Sequence, residues 1–193
     1  MLPPDAIDRR EALRRAALLL GGVISAPVVT GLLAGCDTRR VPNGAWRPRA
    51  LLPDQAELVA TIAEHILPET DTPGARAVGV HQFIDAMLAD GYAAPDRQRF
   101  AAGLADVDAR ARAAQGKTFM DCGREAQRAL LDELDREAFA QPHGAFFRAF
   151  KELTLVGYYT SEVGATRELR YEPVPGHYAG CVPLTEIGRT WAV

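Results

Sequence analysis

Residues 144–161 read GAFFRAFKELTLVGYYTS, and this stretch decides the fold class. At helical spacing its apolar side chains fall on two faces. The first face holds Phe146, Phe150, Leu153 and Gly157, and the second holds Phe147, Thr154 and Tyr158. A helix that is apolar on more than one side is either central in its own bundle or pressed against a partner protein. The sequence leaves both interpretations open.

The segments that precede this stretch also have the helical period. Pro53 and Asp54 open the first of them, with proline in the first turn and an acid beside it. The predicted helices cover about residues 53–67, 83–90, 95–115, 123–140 and 144–161. Residues 69–79 (ETDTPGARAVG) are rich in turn formers and predict a loop. Because no stretch alternates as a strand does, we predict an all-α fold, a small helical bundle of about five helices.

Residues 164–193 break the helical pattern and predict an extended, irregular C-terminal tail. Prolines and glycines interrupt this tail, which nevertheless carries Tyr171, Tyr178 and Trp191. Flexible linkers rarely contain such residues, whereas tyrosine and tryptophan often anchor protein interfaces. The tail either wraps its own helices or docks on another subunit, and the sequence does not decide between the two.

The composition fits one small domain and excludes several functions. The chain has 193 residues, 48% of them hydrophobic, which predicts a single packed core. A formal net charge of −3 argues against a nucleic-acid binder, because such proteins carry a basic stripe. Serine hydrolase chemistry would rest on Ser161, the only serine beyond Ser25, and Ser161 does not lie at a strand-to-helix turn.

The first 35 residues are typical of a bacterial export signal. Arg9, Arg10 and Leu13 precede an uncharged run and resemble a twin-arginine signal, which exports proteins already folded. The run ends Leu-Ala-Gly-Cys, which resembles a lipobox with Cys36 as the lipidated residue. We therefore predict a signal peptide over residues 1–35 and a periplasmic protein anchored to the inner membrane. An uncleaved membrane helix is the alternative, although Pro27 and several glycines make it a poor one.

Residues 36–52 hold only helix breakers and predict a spacer, followed by a helical domain over residues 53–193. No catalytic, cofactor-binding or metal-binding motif stands out in that domain. Its four histidines, for example, are scattered and lack metal-ligand spacing. A lipid-anchored enzyme or binding module acting alone would need His177, Glu162 and Arg170 to gather in one site. Cys122 and Cys181 could bridge internally, or one of them could reach a partner protein.

Several stretches together resemble the gluconate 2-dehydrogenase subunit 3 family. They are PETDTPGA (68–75), ELTLVGYYTSEVG (152–164), LRYEPVPG (169–176) and GCVP (180–183). The resemblance implies a non-catalytic small subunit of a membrane-associated sugar or sugar-acid dehydrogenase. In such complexes a large flavoprotein of the glucose–methanol–choline oxidoreductase type binds FAD and oxidises the sugar. A multihaem cytochrome c subunit commonly takes the electrons onward.

The resemblance also implies roles for this chain and for some of its residues. The small subunit carries the export signal, so the twin-arginine translocase would move the folded, FAD-loaded partner with it. The tail segment is expected to lie against the large subunit, with Cys181 as a candidate for an inter-subunit disulfide. The interface candidates are Tyr158, Tyr159, Arg170, Tyr171, Pro175 and Trp191. The sugar is not identified by this chain, because substrate specificity belongs to the large subunit.

Overall fold

The computed structural model describes residues 46–140, 145–174, 176 and 181–192. The predicted export residues Arg9, Arg10 and Leu13, the lipidation residue Cys36 and the interface candidate Pro175 lie outside these residues. The helices are α1 (Pro53–Ile66), α2 (Ala75–Val78), α3 (Val80–Asp90), α4 (Ala94–Gln115), α5 (Arg124–Ala140), α6 (Phe146–Tyr159) and α7 (Leu184–Ile187). The fold is mainly helical, and the predicted all-α bundle is confirmed.

Helix α6 is the central element of this bundle. It packs against each of the helices α1, α2, α3, α4 and α5. Both of its apolar faces contribute to the core, since Phe150 and Thr154 are fully buried and Phe147 is nearly so. The two-faced pattern of residues 144–161 is therefore explained by packing within the chain itself. Burial of aromatic and aliphatic groups on both faces of α6 contributes to the hydrophobic stabilisation of the bundle.

Contacts with the bundle begin before the first predicted helix. The buried carboxylate of Asp85 on α3 accepts hydrogen bonds from the backbone N–H groups of Arg49, Ala50 and Leu51, at 2.8, 2.9 and 2.9 Å. Trp46 packs edge-on against the ring of His81, with the ring centroids 5.1 Å apart. Residues 46–51, which the sequence assigns to the spacer, are thus in contact with α3, and the boundary predicted at residue 52 stays a prediction. A carboxylate that satisfies three backbone donors fixes this segment, although the segment has no helical period.

Several short elements lie within the predicted loop and tail. Residues 75–78, within the predicted loop 69–79, form α2. The tail begins with a π-helical turn (Gly164–Glu168), in which the N–H of Leu169 donates to the carbonyl of Gly164 at 2.9 Å. Strands β1 (Arg170–Tyr171) and β2 (Trp191–Ala192) then pair in parallel, with Arg170 opposite Trp191. The tail thus contains local secondary structure that its content of proline and glycine does not predict.

Candidate functional site

The end of helix α6 is a tight turn that directs the chain into the tail. The hydroxyl of Ser161 donates to the carbonyl of Tyr158 at 2.6 Å and accepts the N–H of Gly164 at 3.0 Å. A Cβ at position 164 would lie 2.0 Å from the carbonyl oxygen of Tyr158, so only glycine fits there. Ser161 therefore shapes the turn, with its hydroxyl engaged by the backbone on both sides.

Tyr158 joins this turn to the loop between α1 and α2. Its hydroxyl donates to the carbonyl of Pro73 at 2.9 Å, and its side chain is 3% exposed. A side chain this buried has no surface left for another protein. The structure therefore corrects the expectation that the ring of Tyr158 is itself a contact residue, and gives it a positioning role instead.

Thr72 extends the connection from the loop to the π-helical turn. Its hydroxyl donates to the carboxylate of Glu168 and lies 3.3 Å from the Tyr158 hydroxyl. Each hydroxyl has one proton, and the bonds to Glu168 and to Pro73 use both protons. The contact between the two hydroxyl oxygens is therefore the weakest of the three. Sequence reasoning missed this role of Thr72 and Glu168, because nothing in the pattern pairs residues so far apart.

The loop that carries Thr72 is held from its other side by Glu64 on α1. The Glu64 carboxylate accepts the N–H of Glu69 at 3.0 Å and the N–H of Arg76 at 2.9 Å. A Cβ on Gly74 would lie 2.3 Å from a carboxylate oxygen of Glu64, which explains the glycine there. Two of the stretches singled out in the sequence, 68–75 and 152–164, therefore meet around one hydrogen-bonded network, and its third member, Glu168, directly precedes the stretch 169–176.

The tail sheet presents aromatic and apolar side chains to solvent. The guanidinium carbon of Arg170 lies 4.3 Å from the ring centroid of Trp191, a cation–π contact between paired strands. Tyr171, Trp191 and Val174 are 54%, 39% and 76% exposed. We call these four residues the tail surface. Tyr159, the remaining interface candidate among the described residues, is half-buried beside Tyr158.

The two described cysteines are both free thiols, so the internal bridge is absent from this part of the chain. The thiol of Cys122 donates to the carbonyl of Thr118 at 3.2 Å and packs against the core. Cys181 is exposed, and its predicted bond to a partner protein remains a prediction.

Two of the three residues that an independent enzyme would need do not meet among the described residues. Glu162 and Arg170 are both exposed, and no hydrogen bond or ion pair joins them among the described residues. His177 lies outside those residues. His65, by contrast, is held by Gln127 at 2.9 Å, a contact within the bundle. Within the described ranges, no group of three or more histidine, cysteine or acidic side chains could hold a metal ion.

No helix in the described part of the chain combines the length and the apolar character needed to span a bilayer. The sequence model of the gluconate 2-dehydrogenase subunit 3 family matches residues 53–176, which is more than half of the chain. Neither the curated proteins nor the solved structures compared with the chain gave a match. The matched region runs from the start of α1 through the network to the first part of the tail, and on this basis the chain belongs to the gluconate 2-dehydrogenase subunit 3 family, as an accessory subunit of that type.

Proposed function

We propose that this chain is the non-catalytic small subunit of a periplasmic, FAD-dependent sugar or sugar-acid dehydrogenase complex. It escorts the folded flavoprotein through twin-arginine export and stabilises that flavoprotein afterwards. FAD belongs to the large subunit, and haem c belongs to a cytochrome subunit of the same complex. Lipidation at Cys36 would hold the assembly at the inner membrane.

One observation carries the proposal beyond family membership. Among the described residues, the stretches that carry the family resemblance position an exposed tail surface. Tyr158, Thr72 and Glu168 connect the core to the tail, while Arg170 and Trp191 stand at the surface. Such an arrangement suits binding, because a rigid scaffold that presents aromatic groups lowers the entropic cost of association.

The escort role is tested by replacing Arg9 and Arg10 together with lysine in cells that also make the large subunit. We expect the flavoprotein to disappear from the periplasm, because in this proposal it crosses the membrane only together with this chain. The matched control replaces Arg14 and Arg15, the second arginine pair of this segment, with lysine, which keeps the same charge and leaves Arg9 and Arg10 intact. Undiminished periplasmic dehydrogenase in the Arg9/Arg10 variant would refute the escort role.

The non-catalytic role is tested with the purified proteins. The isolated chain is expected to bind no FAD and to oxidise no sugar, whereas its complex with the flavoprotein does both. Flavin absorbance and dye-linked sugar oxidation report the two properties. A monomer of this chain that binds flavin and turns over substrate would contradict the proposal.

The disulfide is tested separately with Cys181→Ser and with Cys122→Ser as the matched control. On a non-reducing gel we expect the covalent complex with the large subunit to vanish in the Cys181 variant alone, because Cys181 is exposed and Cys122 is packed on the core. Loss of the covalent complex in the Cys122 variant alone would show that Cys122 forms the bond, and would contradict the prediction for Cys181.

A further inference from the structure

An open groove of about 590 Å³ lies beside the tail sheet. One side is formed by Leu169, Arg170 and Tyr171, and the other by Ile187, Gly188 and Arg189. The groove therefore lies between the start of the tail and the segment that runs from the end of α7 to β2. Arg189 lies beyond the residues matched by the family model, and sequence reasoning did not select it.

Among the described residues, the lining of the groove carries positive charge alone. Two guanidinium groups line it, and none of its lining residues is acidic. The nearby Glu168 carboxylate is already bound by Thr72. Among the described residues, no carboxylate lies within ion-pair distance of Arg170 or Arg189. Arg110 on α4 shows the contrasting case, because it forms ion pairs with both Asp106 and Glu137. Two like charges facing one groove are expected to attract carboxylates.

Both guanidinium groups are held in place by contacts that leave most of their donors available. Arg170 stacks on the Trp191 ring and has one long hydrogen bond, from its Nη1 to the carbonyl of Ile187 at 3.5 Å. Arg189 donates to the carbonyl of Arg167. A guanidinium has five N–H donors in a planar fork that matches a carboxylate. An arginine whose plane is fixed beforehand loses less entropy when a carboxylate binds.

We propose that this groove, with Arg170 and Arg189, binds carboxylate side chains of the flavoprotein partner. The inference rests on the proposed function, and it adds the chemistry of the contact. A protein is favoured over a small free anion because the groove is open, is lined in part by the exposed Tyr171, and contains Arg170, which stacks on the exposed ring of Trp191. A protein surface covers such apolar groups and excludes water around the ion pairs, whereas a small anion would leave both exposed to solvent and salt.

The first experiment measures the affinity of the full chain for the purified flavoprotein of the proposed complex, by biolayer interferometry at several salt concentrations. We expect Arg170→Gln and Arg189→Gln each to weaken binding by about tenfold and to reduce its salt dependence. The matched control is Arg136→Gln, an exposed arginine on α5 without an ion pair among the described residues, which should change affinity less than about twofold. Unchanged affinity in both groove variants would overturn the inference.

The second experiment keeps the positive charges and so protects the test against misfolding of the tail. Arg170→Lys and Arg189→Lys introduce amines into a chain whose only lysines are Lys117 and Lys151. A zero-length carbodiimide should couple the new amines to carboxylates of the flavoprotein, and mass spectrometry of the complex should locate the crosslink at residue 170 or 189. The control Arg136→Lys should give no such crosslink. An intact complex without crosslinks from either groove lysine would contradict the inference.

The outcomes separate this inference from the proposed function. If the wild-type chain does not bind the flavoprotein, the proposed function fails. If it binds and the groove variants bind equally well, only the groove assignment fails. Calorimetric titration of the isolated chain with gluconate tests the small-anion alternative. Gluconate binding that needs both arginines, with flavoprotein affinity unaffected by their replacement, would reassign the groove to a sugar acid.

Discussion

The hydroxyl of Tyr158 donates a hydrogen bond to the carbonyl oxygen of Pro73 at 2.9 Å, across 85 residues of chain. This bond ties the last turn of the central helix α6 to the loop that precedes α2. Because Thr72 of the same loop binds Glu168, the bond also fixes where the tail begins. The buried tyrosine thereby positions a surface to which its own ring does not contribute.

Replacing Tyr158 with phenylalanine tests this connection. The change leaves the half-buried carbonyl of Pro73 without its donor, and we expect the free energy of unfolding to fall by about 1–2 kcal/mol. Hydrogen exchange should accelerate in residues 69–74. Tyr159→Phe is the matched control, because among the described residues the Tyr159 hydroxyl forms no hydrogen bond and its ring only packs against Tyr158. Equal losses in the two variants, measured by urea denaturation, would show that the Pro73 bond has no special importance.

Gly164→Ala tests the turn between α6 and the tail. The added methyl group would meet the Tyr158 carbonyl oxygen at 2.0 Å, so the backbone must move. We expect a loss of about 2 kcal/mol or more in stability and weaker binding of the flavoprotein, since strain of this kind costs about 1–3 kcal/mol. Gly123→Ala, where nothing lies within 4 Å of the added atom, should be nearly neutral. A melting temperature that changes equally in both variants would argue against a steric requirement at position 164.

Asp85→Asn tests the attachment of residues 49–51 to α3. An asparagine has one acceptor oxygen, and its amide N–H groups would face backbone N–H groups that the carboxylate now satisfies. We expect a loss of about 3 kcal/mol, because hydrogen bonds to a charged acceptor contribute about 1.5–3 kcal/mol each. Proteolysis near residue 50 should also become faster.

Asp90→Asn is the control for Asp85. Its carboxylate is 69% exposed and pairs with the side chain of Arg49, so we expect a loss below about 1 kcal/mol. If the Asp90 variant proved as unstable as the Asp85 variant, the three backbone hydrogen bonds would not be what holds this segment.

His81 gives the stability of the domain a pH dependence. Its Nδ1 is buried without a hydrogen-bond partner among the described residues, and burial, together with the nearby Arg76, lowers its pKa below the ordinary value of 6.5, against the opposing charge of Glu57. Below about pH 6.5 the unfolded chain therefore binds more protons at this residue than the folded chain does. The contribution of His81 to the free energy of unfolding should fall as the pH falls through that value.

Urea denaturation between about pH 7.5 and about pH 5 measures this effect. We expect the wild-type protein to lose more stability on acidification than His81→Gln, whose side chain does not titrate. The comparison uses the slope against pH within each variant, so that a constant loss from the substitution cancels. Parallel slopes for the two proteins would contradict the assignment to His81.

The long helices could be predicted from the sequence because their apolar residues repeat over several turns. Residues 147, 154 and 158 were correctly assigned to one face of α6. Periodicity, however, does not indicate what covers a face, and that face is buried within this chain. The four residues of α2 are too few to show a helical period, and the sequence therefore predicts a loop at this position.

The candidate site was less predictable, because its contacts join residues far apart in sequence. Strands of two residues cannot show alternation, and β1 and β2 exist only through their pairing. In the sequence, Asp85 resembles any other acidic residue of an amphipathic helix. Only the structure shows that its carboxylate accepts hydrogen bonds from residues 49–51. Tyr158 and Tyr159 are adjacent tyrosines that the sequence does not distinguish. In the structure Tyr158 is buried and bonded to the loop at Pro73, whereas Tyr159 is half-buried.

The anchoring of residues 49–51 on Asp85 has a mechanical consequence. A pulling force applied to the chain ahead of Trp46 would reach the three bonds at Asp85 before it reached Pro53, the first residue of α1. The load would then pass into α3, which packs against both α1 and α6. Helix α1 would consequently be spared from unravelling at its first turn while the bonds at Asp85 held.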